Sequence, residues 1–422
     1  MEEKQKRVVG MDCAEEEHAW VLLSEEGEIE RRGSVGNGRG LLEETFAELL
    51  MVIPEEAELV VVLESRRSHG RVAADVAKDL GIGVWQVNTV ALNHYRNLEG
   101  QPRKDDDWDA YLAARMVYLR MKGSRVVTEI TDEELALSRL TRTYAQVKTD
   151  RTRHGLRLRS ALLEIAPVML HRSWKGPKAN SKAMLYLLER WPGFEGLERA
   201  HLSSIEAILR RCRYGNRAVE AAKNIRDAAK GISINRAERA AVTLELNVLV
   251  QQIKQCDVLL KELFKEIEQR VEKHPVGQKL LEMDGIGPMI AGVLVSELLP
   301  VARTATEAQS ATYSGVTPLS RKSGKTPDNP ILARGVNNRV LHALYQSSVA
   351  AIKCSAIDRA YYDKKVRGYA GHPTPNIAAF IALSRQRHKV IFKLMTTNER
   401  YNKETLIKSH LERRARVHEP AA

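Results

Sequence analysis

The hydrophobic pattern of this chain changes at about residue 125, and that change constrains its fold more than any other feature. Before it, short apolar runs of strand length alternate with stretches of helical period, whereas helical period prevails after Thr131. The pattern predicts strands over residues 8–12, 19–23, 28–35, 59–63 and 84–87 and helices over 41–52, 72–80 and 106–120. We therefore expect an α/β domain followed by a mostly α remainder.

Four carboxylates in this first segment predict a metal site. Asp12 and Glu64 each end an apolar strand run, where a turn residue would be usual. Asp106 and Asp109 are three residues apart, which places them on one face of a helix. Acids at strand ends after a three-strand meander are the arrangement of a ribonuclease-H-like fold, and such oxygen ligands suit Mg²⁺. The competing interpretation, an acidic helix N-terminus, leaves Asp12 and Glu64 unexplained.

Charge is divided unevenly along the 422 residues. The first 60 residues hold 16 acids and 6 Lys or Arg, so they carry −10 while the rest carries +22, for a net charge of +12. Lys and Arg lie densely among apolar residues at 139–159 and 385–416, which favours nucleic-acid phosphates as partners over a merely solvated surface. The sequence shows no run of about 18 apolar residues and no secretory signal. We expect no membrane partner and a cytoplasmic, nucleoid-associated location.

The segment after residue 131 is predicted to be helical, with a long basic helix over 131–165 and another over 237–273. In the second helix, apolar residues repeat at alternating steps of three and four, as in a heptad seam. These residues are Leu246, Leu249, Ile253, Cys256, Leu260, Leu263 and Ile267. Such a seam pairs either with a helix of the same chain or with one of another subunit, and both alternatives stay open.

Two segments nearer the C-terminus could contact phosphate. Gly285 and Gly287 flank a predicted tight turn, in a helix-hairpin-helix-like G-x-G pattern, and Pro288 suits the first position of the next helix. Residues 315–325 place serines in a positive field that would attract a phosphodiester. The basic residues of that field are Arg321, Lys322 and Lys325. A loop that contacts phosphate without covalent chemistry is the simpler interpretation of this segment alone.

Six segments in order carry a resemblance to a known family. They are VVGMD, VVLES, KDDDWDAYLAARM, DGIGPMIAGVLVSELLP, YSGVTPLSRKSGKT and ARGVNNRVLHALYQSSVAAI. With them the chain resembles the DEDD transposases of bacterial insertion sequences, recombinases with a RuvC-like N-terminal domain that are related to the Piv-type DNA invertases. The resemblance spans Val8 to about Tyr401, and the middle third matches least specifically.

The resemblance implies a catalytic, metal-binding tetrad and a serine nucleophile. The tetrad transfers to Asp12, Glu64, Asp106 and Asp109. The family pattern K-x-D-x-x-D-A, which runs from Lys104 to Ala110, selects Asp106 over Asp105. The serine transfers to Ser323, which a glycine follows, with Ser320 as the competing candidate. The predicted nucleic-acid-binding residues are Gly285, Gly287, Arg321, Lys322, Lys325 and Arg339.

Cofactors and partners are also implied by the resemblance. They are Mg²⁺, as two ions, with Mn²⁺ as an alternative, double-stranded donor and target DNA, and a noncoding bridge RNA that guides the enzyme. A homo-oligomer, dimer or tetramer, would join the RuvC-like domain of one subunit to the serine domain of another. The expected activity is cutting and rejoining of DNA through a phosphoserine intermediate.

Two alternatives to this function remain. One is a site-specific DNA invertase or a RuvC-like hydrolytic nuclease whose C-terminal domain only binds DNA. The other is a nonenzymatic nucleic-acid-binding scaffold whose acids are structural. The chain is expected to have four regions. They are a RuvC-like domain at 1–125, a helical and coiled-coil oligomerisation region at 126–275, a C-terminal transposase domain at 276–402 and a basic tail at 403–422.

Overall fold

The computed structural model describes residues 5–64, 68–99, 105–121, 124–126, 130–232, 234–319, 331–332 and 335–402. A mixed α/β first segment and a mostly helical remainder are both present, which confirms the expectation from the hydrophobic pattern. Spatial proximity divides the chain into two compact units. The first consists of Met1–Asp132, Glu297–Val349 and Ala356–Glu399, and the second of Glu133–Ser296, Ala350–Ser355 and Arg400–Ala422. The four-region division expected from the sequence stays a prediction.

The α/β part of the first unit is built on a six-stranded sheet. In chain order its elements are β1 (Gln5–Cys13), β2 (Glu17–Leu23), β3 (Ile29–Gly36), α1 (Arg39–Val52), β4 (Ala57–Leu63), α2 (Arg71–Asp79), β5 (Gly83–Val87), α3 (Thr89–Leu98), α4 (Asp106–Tyr118) and β6 (Ser124–Val126). The strand order is β3-β2-β1-β4-β5-β6. β1 pairs antiparallel with β2 and parallel with β4, in a register that sets Met11 beside Leu63.

The two central strands are buried on both faces of the sheet. Val9 and Val61 belong to an apolar cluster with the buried residues of α1 and α2. Their neighbours Val8 and Val60 belong to the opposite cluster, which contains the buried residues of α4. Near-continuous apolar runs are therefore required in β1 and β4, because alternate side chains enter two different cores.

Gly10 allows α4 to pack directly against β1. A Cβ atom at Gly10 would lie 1.9 Å from the carbonyl oxygen of Ala110 and 2.9 Å from the Cβ of Ala114. A side chain at this position would force the helix away from the sheet, because real Cβ atoms do not come so close to backbone oxygen. The first turn of α4 is thereby held next to the end of β1.

The second unit is helical and has its own apolar core. Its helices are α5 (Asp132–Ile165), α6 (Lys182–Arg190), α7 (Leu202–Arg211), α8 (Ala218–Lys230), α9 (Arg236–Lys273), α10 (Pro275–Leu281) and α11 (Pro288–Val293). Leu246, Leu249 and Ile253 of the heptad seam lie in that core with α6 and α8. This half of the seam packs within its own chain, whereas Leu260 and Leu263 are only half-buried.

The C-terminal part of the first unit follows a π-helical turn at Leu294–Leu298. Its elements are α12 (Leu299–Ala302), α13 (Glu307–Tyr313), β7 (Pro318–Leu319), β8 (Ile331–Leu332), α14 (Asn338–Cys354), α15 (Ala356–Gly368) and α16 (Pro375–Thr396). Among the described residues, no helix is both long and apolar enough to cross a membrane.

Candidate active site

The four predicted carboxylates belong to elements that meet at one end of the sheet. Asp12 is the second-last residue of β1. Glu64 directly follows β4, the parallel neighbour of β1. Asp106 is the first residue of α4, and Asp109 lies one turn further along the same helix. Because α4 packs closely on β1, its first turn reaches the strand ends that carry the other two acids.

The charges of the other three acids act on Asp12. The pKa of Asp12 is raised from 3.8 to about 6, chiefly by burial and then by the negative charges of Asp109, Asp106 and Glu64. Burial and the charges of Asp12 and Glu64 also raise the pKa of the neighbouring Cys13 thiol to about 12. A negative potential is thus concentrated at the end of β1, as expected where a cation is to be bound.

The neighbouring acids Asp105 and Asp107 have other partners. Asp105 is the N-cap residue of α4, and its side chain accepts a hydrogen bond of 3.3 Å from the backbone N–H of Asp107. The carboxylate of Asp107 lies 3.7 Å from the Arg32 guanidinium. Asp106 therefore differs from both, since its charge acts on Asp12. This difference favours Asp106 over Asp105 as a site residue.

Sequence reasoning missed Arg96, which contacts Asp109. Its Nε and Nη2 lie 2.9 Å and 2.6 Å from Oδ1 of Asp109, and its Nη1 donates to Oδ1 of Asn93 at 2.7 Å. Arg96 lies on α3, a helix that the apolar pattern did not predict. A usable signal was present in Asn88, which caps α3 by accepting hydrogen bonds from the N–H groups of Val90 and Ala91.

The donor chemistry of the cluster suits a hard divalent cation. All four groups are carboxylates, and oxygen ligands of this kind favour Mg²⁺ or Mn²⁺ over softer metals. Within the described ranges, no three His, Cys, Asp or Glu side chains already stand at ligand distance from a common point. One of the four carboxylates, Asp109, is in contact with a cation of the protein itself, Arg96.

The predicted nucleophile and its basic neighbours lie outside the described residues. These are Ser323, the competing Ser320, and the basic residues Arg321, Lys322 and Lys325. The flanking strands are described: β7 and β8 pair antiparallel, with Pro318 beside Leu332 and Leu319 beside Ile331. A buried turn precedes β7, in which Gly315 has φ +70° and lies against Val336 and Leu341. That backbone conformation favours glycine.

A polar cluster around Asn337 joins the chain before β7 to the chain after β8. The side-chain amide of Asn337 donates to the hydroxyl of Tyr313 at 2.7 Å and to Oε2 of Glu297 at 3.2 Å. Its Oδ1 accepts from the N–H groups of Arg339 and Val340 and so caps α14. Its own N–H donates to the carbonyl of Tyr313 at 2.8 Å. The turn before β7 and the helix after β8 are thereby tied together.

The other predicted nucleic-acid contacts are described but their role stays a prediction. Arg339 donates from Nη1 to Oε1 of the buried Glu297 at 2.8 Å, so its guanidinium takes part in the Asn337 cluster. Gly285 has φ +80°, and Pro288 begins α11 directly after Gly287, so the predicted tight turn is present. α11 has only six residues.

A second polar cluster in the C-terminal part has the order of a catalytic triad. Ser310 Oγ lies 3.1 Å from Nε2 of His388, whose Nδ1 lies 3.1 Å from Oε1 of Glu307. Arg385 pairs with both oxygens of Glu307. Ser310 and His388 are fully buried, at 0% exposure, so no substrate can reach them. Burial lowers the pKa of His388 from 6.5 to about 4, and the cluster is structural.

Comparison with known proteins places both halves of the chain in one family. A family model for transposases of the DEDD IS110 type matches residues 9–167. A second, described as the transposase IS116/IS110/IS902 family, matches residues 277–363. The two matches together span more than half of the 422 residues and contain all four carboxylates and Ser323.

Relatives extend the similarity along the chain. A 43.6 kDa protein of insertion element IS110 from Streptomyces coelicolor is 25% identical over 343 residues, 80% of this chain and 82% of that protein. The mini-circle putative transposase for IS117 from the same organism is 24% identical over 369 residues, covering 84% and 86%. A 44.8 kDa protein of insertion element IS116 from Streptomyces clavuligerus is 24% identical, covering 92% and 94%. The chain belongs to the IS110-type family of DEDD insertion-sequence transposases.

Proposed function

We propose that this transposase cuts and rejoins DNA with a divalent metal centre formed by Asp12, Glu64, Asp106 and Asp109 and with Ser323 as the nucleophile. The observation that carries the proposal is the concentration of the four carboxylates at the ends of β1 and β4, where three of them raise the pKa of the fourth. Like charges held close together are unfavourable for folding, so the clustering of these carboxylates supports a cation as their partner.

The chemistry is a phosphoryl transfer in two balanced steps. The Ser323 hydroxyl attacks the scissile phosphorus and loses its proton, the bond from phosphorus to one DNA oxygen breaks, and that oxygen leaves as a hydroxyl. In the second step a hydroxyl of another DNA end attacks the phosphoserine and Ser323 is released. A bound divalent ion would supply charge stabilisation for the phosphate oxygens. The carboxylates would hold that ion and thereby orient the phosphate.

Positioning of Ser323 would depend on the Asn337 cluster. Asn337, Tyr313 and Glu297 tie together the described segments before β7 and after β8, and Ser323 lies between those two strands in the sequence. Within the first unit, a Cβ atom at Gly335 would lie 4.0 Å from Cγ2 of Val90 on α3, the helix that also carries Arg96. This proximity supports a reaction in which the carboxylates and the serine act on one phosphate, from one subunit or from two.

Long basic surfaces would bind the DNA and a guide RNA. α5 alone exposes five guanidinium or ammonium groups, which are Arg139, Lys148, Arg153, Arg157 and Arg159. A double helix is held chiefly through its phosphates, and sequence would be chosen by base pairing with a noncoding bridge RNA. The second unit, with its half-buried Leu260 and Leu263, would contribute to assembly of a dimer or tetramer.

The decisive test is a covalent-adduct assay with purified full-length protein, Mg²⁺, donor and target DNA, and the noncoding RNA flanking its gene. Wild type is expected to form a protein–DNA adduct and a joined product. Asp12→Ala, Asp106→Ala and Ser323→Ala should each lose both. Asp105→Ala is the matched control, because it removes only the N-cap of α4. It should retain the adduct while losing about 1 kcal/mol of stability.

The same assay separates the alternatives. An adduct that persists in Ser323→Ala rules out this serine as nucleophile, and cutting without any adduct supports the hydrolytic nuclease. Joining that does not change when the RNA is left out argues against guidance. Mixing Asp12→Ala with Ser323→Ala tests the assembly, since recovered joining requires that the two halves of the site come from different subunits.

A further inference from the structure

Arg96 brings a positive charge into direct contact with the carboxylate cluster, at Asp109. Its Nε and Nη2 both approach Oδ1 of Asp109, at 2.9 Å and 2.6 Å. Its Nη1 is held at 2.7 Å by the side chain of Asn93, one turn earlier on α3. The guanidinium is therefore fixed at both ends, on its own helix and on α4.

The Arg96–Asp109 ion pair is less exposed to solvent than an ordinary surface ion pair. The side chain of Asp109 is 9% exposed and that of Arg96 is 21% exposed. A pair so far removed from water is screened less, and loss of one partner leaves a nearly buried charge. By comparison, Arg71 and Asp75 form an i,i+4 pair in the same domain with exposures of 49% and 36%.

The positive charge of Arg96 also acts on Asp12. Among the described residues, three acids and the Arg96 guanidinium act on Asp12, and Arg96 is the group of opposite charge. Arg96 lies on none of the elements that carry the four acids, because it is contributed by α3. A fourth element, α3, thus brings positive charge to the point where β1, β4 and α4 concentrate negative charge.

We propose that Arg96 is the internal counter-ion of the cluster, which holds Asp109 in place and offsets the repulsion among the four acids until a divalent cation replaces that charge. This inference rests on the proposed metal centre and adds a residue to it. Since Arg96 and the cation favour the same carboxylate, the two oppose each other. Cation binding would then weaken the contact between the Arg96 guanidinium and Asp109.

The first experiment needs no metal. Thermal unfolding is measured in EDTA for wild type, Arg96→Gln, Asp12→Asn and the double variant. Arg96→Gln is expected to lower the Tm by about 2 °C or more, and by clearly less in the Asp12→Asn background, because fewer like charges then need a counter-ion. Arg71→Gln should shift the Tm little in both backgrounds. Equal losses for Arg96→Gln in the two backgrounds would overturn the proposal.

The second experiment measures Mg²⁺ binding by calorimetry. Arg96→Gln is expected to bind Mg²⁺ more tightly, on the order of tenfold for the removal of one neighbouring positive charge. Arg96→Lys keeps the charge and should bind within about twofold of wild type. Unchanged or weaker binding by Arg96→Gln, or an Arg96→Lys variant that behaves like it, contradicts the counter-ion role.

The two experiments also separate this proposal from the metal centre itself. Wild type that binds no Mg²⁺, or that binds it equally well after Asp12→Asn, refutes the proposed metal centre. The coupling between Arg96 and Asp12 in EDTA still decides whether Arg96 is the counter-ion. Conversely, normal Mg²⁺ binding without that coupling refutes the role of Arg96 alone.

Discussion

The carboxylate cluster and the Ser310 cluster both contain several charged groups, but they differ in how far those charges are balanced by opposite ones. At the end of β1, the described groups whose charges act on Asp12 are three acids and one cation, Arg96, and the pKa of Asp12 rises to about 6. In the C-terminal part, Glu307 is paired with Arg385 and His388, and its pKa is lowered below the usual value. A cluster whose negative charge is only partly compensated and that reaches solvent is arranged for a ligand, whereas a compensated and buried one stabilises the fold.

The largest expected difference between the two clusters is in catalysis. Asp12→Ala should lower the rate of DNA joining by roughly 10³-fold or more, because it removes a group that orients the reacting phosphate. Ser310 has triad-like geometry but is fully buried. Ser310→Ala should therefore leave the joining rate per folded molecule within about threefold of wild type. The two variants are compared in DNA-joining assays, with each rate divided by the fraction of protein that is folded. A large catalytic loss in Ser310→Ala would show that the buried cluster takes part in the reaction.

The next effect concerns the backbone that brings the acids together. Gly10→Ala places a Cβ atom 1.9 Å from the Ala110 carbonyl oxygen, so α4 must move away from β1. We expect a loss of about 3 kcal/mol in the free energy of unfolding. We also expect loss of joining activity, since Asp106 and Asp109 move with the helix. Urea unfolding and the joining assay measure the two effects. Gly40→Ala is the control, because a Cβ there meets no atom within 4 Å.

The buried cluster predicts a loss of stability in acid. His388 has a pKa of about 4 in the folded protein and 6.5 in the unfolded chain, so the unfolded chain binds more protons between these values. Stability should therefore be full above pH 6.5 and fall by about 3 kcal/mol as the pH drops to 4. Urea unfolding across this range measures the slope. His388→Gln should flatten it, and an unchanged slope would contradict the assignment.

The carboxylate cluster predicts the opposite sign and the smallest effect. Asp12 has a pKa of about 6 when folded and 3.8 when unfolded, so stability is greatest below pH 3.8 and decreases as the pH rises through 6. Asp12→Asn should raise the metal-free stability at pH 7 by about 1 kcal/mol, after allowance for solvent screening at this half-buried site. Thermal unfolding in EDTA tests this. Destabilisation by Asp12→Asn would mean that the acid has a structural partner.

Much of the first domain was predictable because local pattern and burial agree there. Apolar runs identified β1 and β4, and Asp12 and Glu64 were found because an acid is unusual at the end of such a run. The heptad pattern identified α9, yet whether its seam packs within the chain depended on α6 and α8. α3 was missed although Leu92 and Tyr95, three residues apart, form its buried face and Asn88 marked its start.

The sequence by itself determined most strands and helices of the first domain, which acids end them and, through the order of its motifs, the family to which the chain belongs. Tertiary structure alone decided that Gly10 brings α4 onto β1 and that Arg96 reaches Asp109. It also decided that Ser310 and His388 are buried. The physical reason is that propensity and periodicity act over a few neighbouring residues. Charge compensation and access to solvent depend instead on side chains brought together from distant parts of the chain.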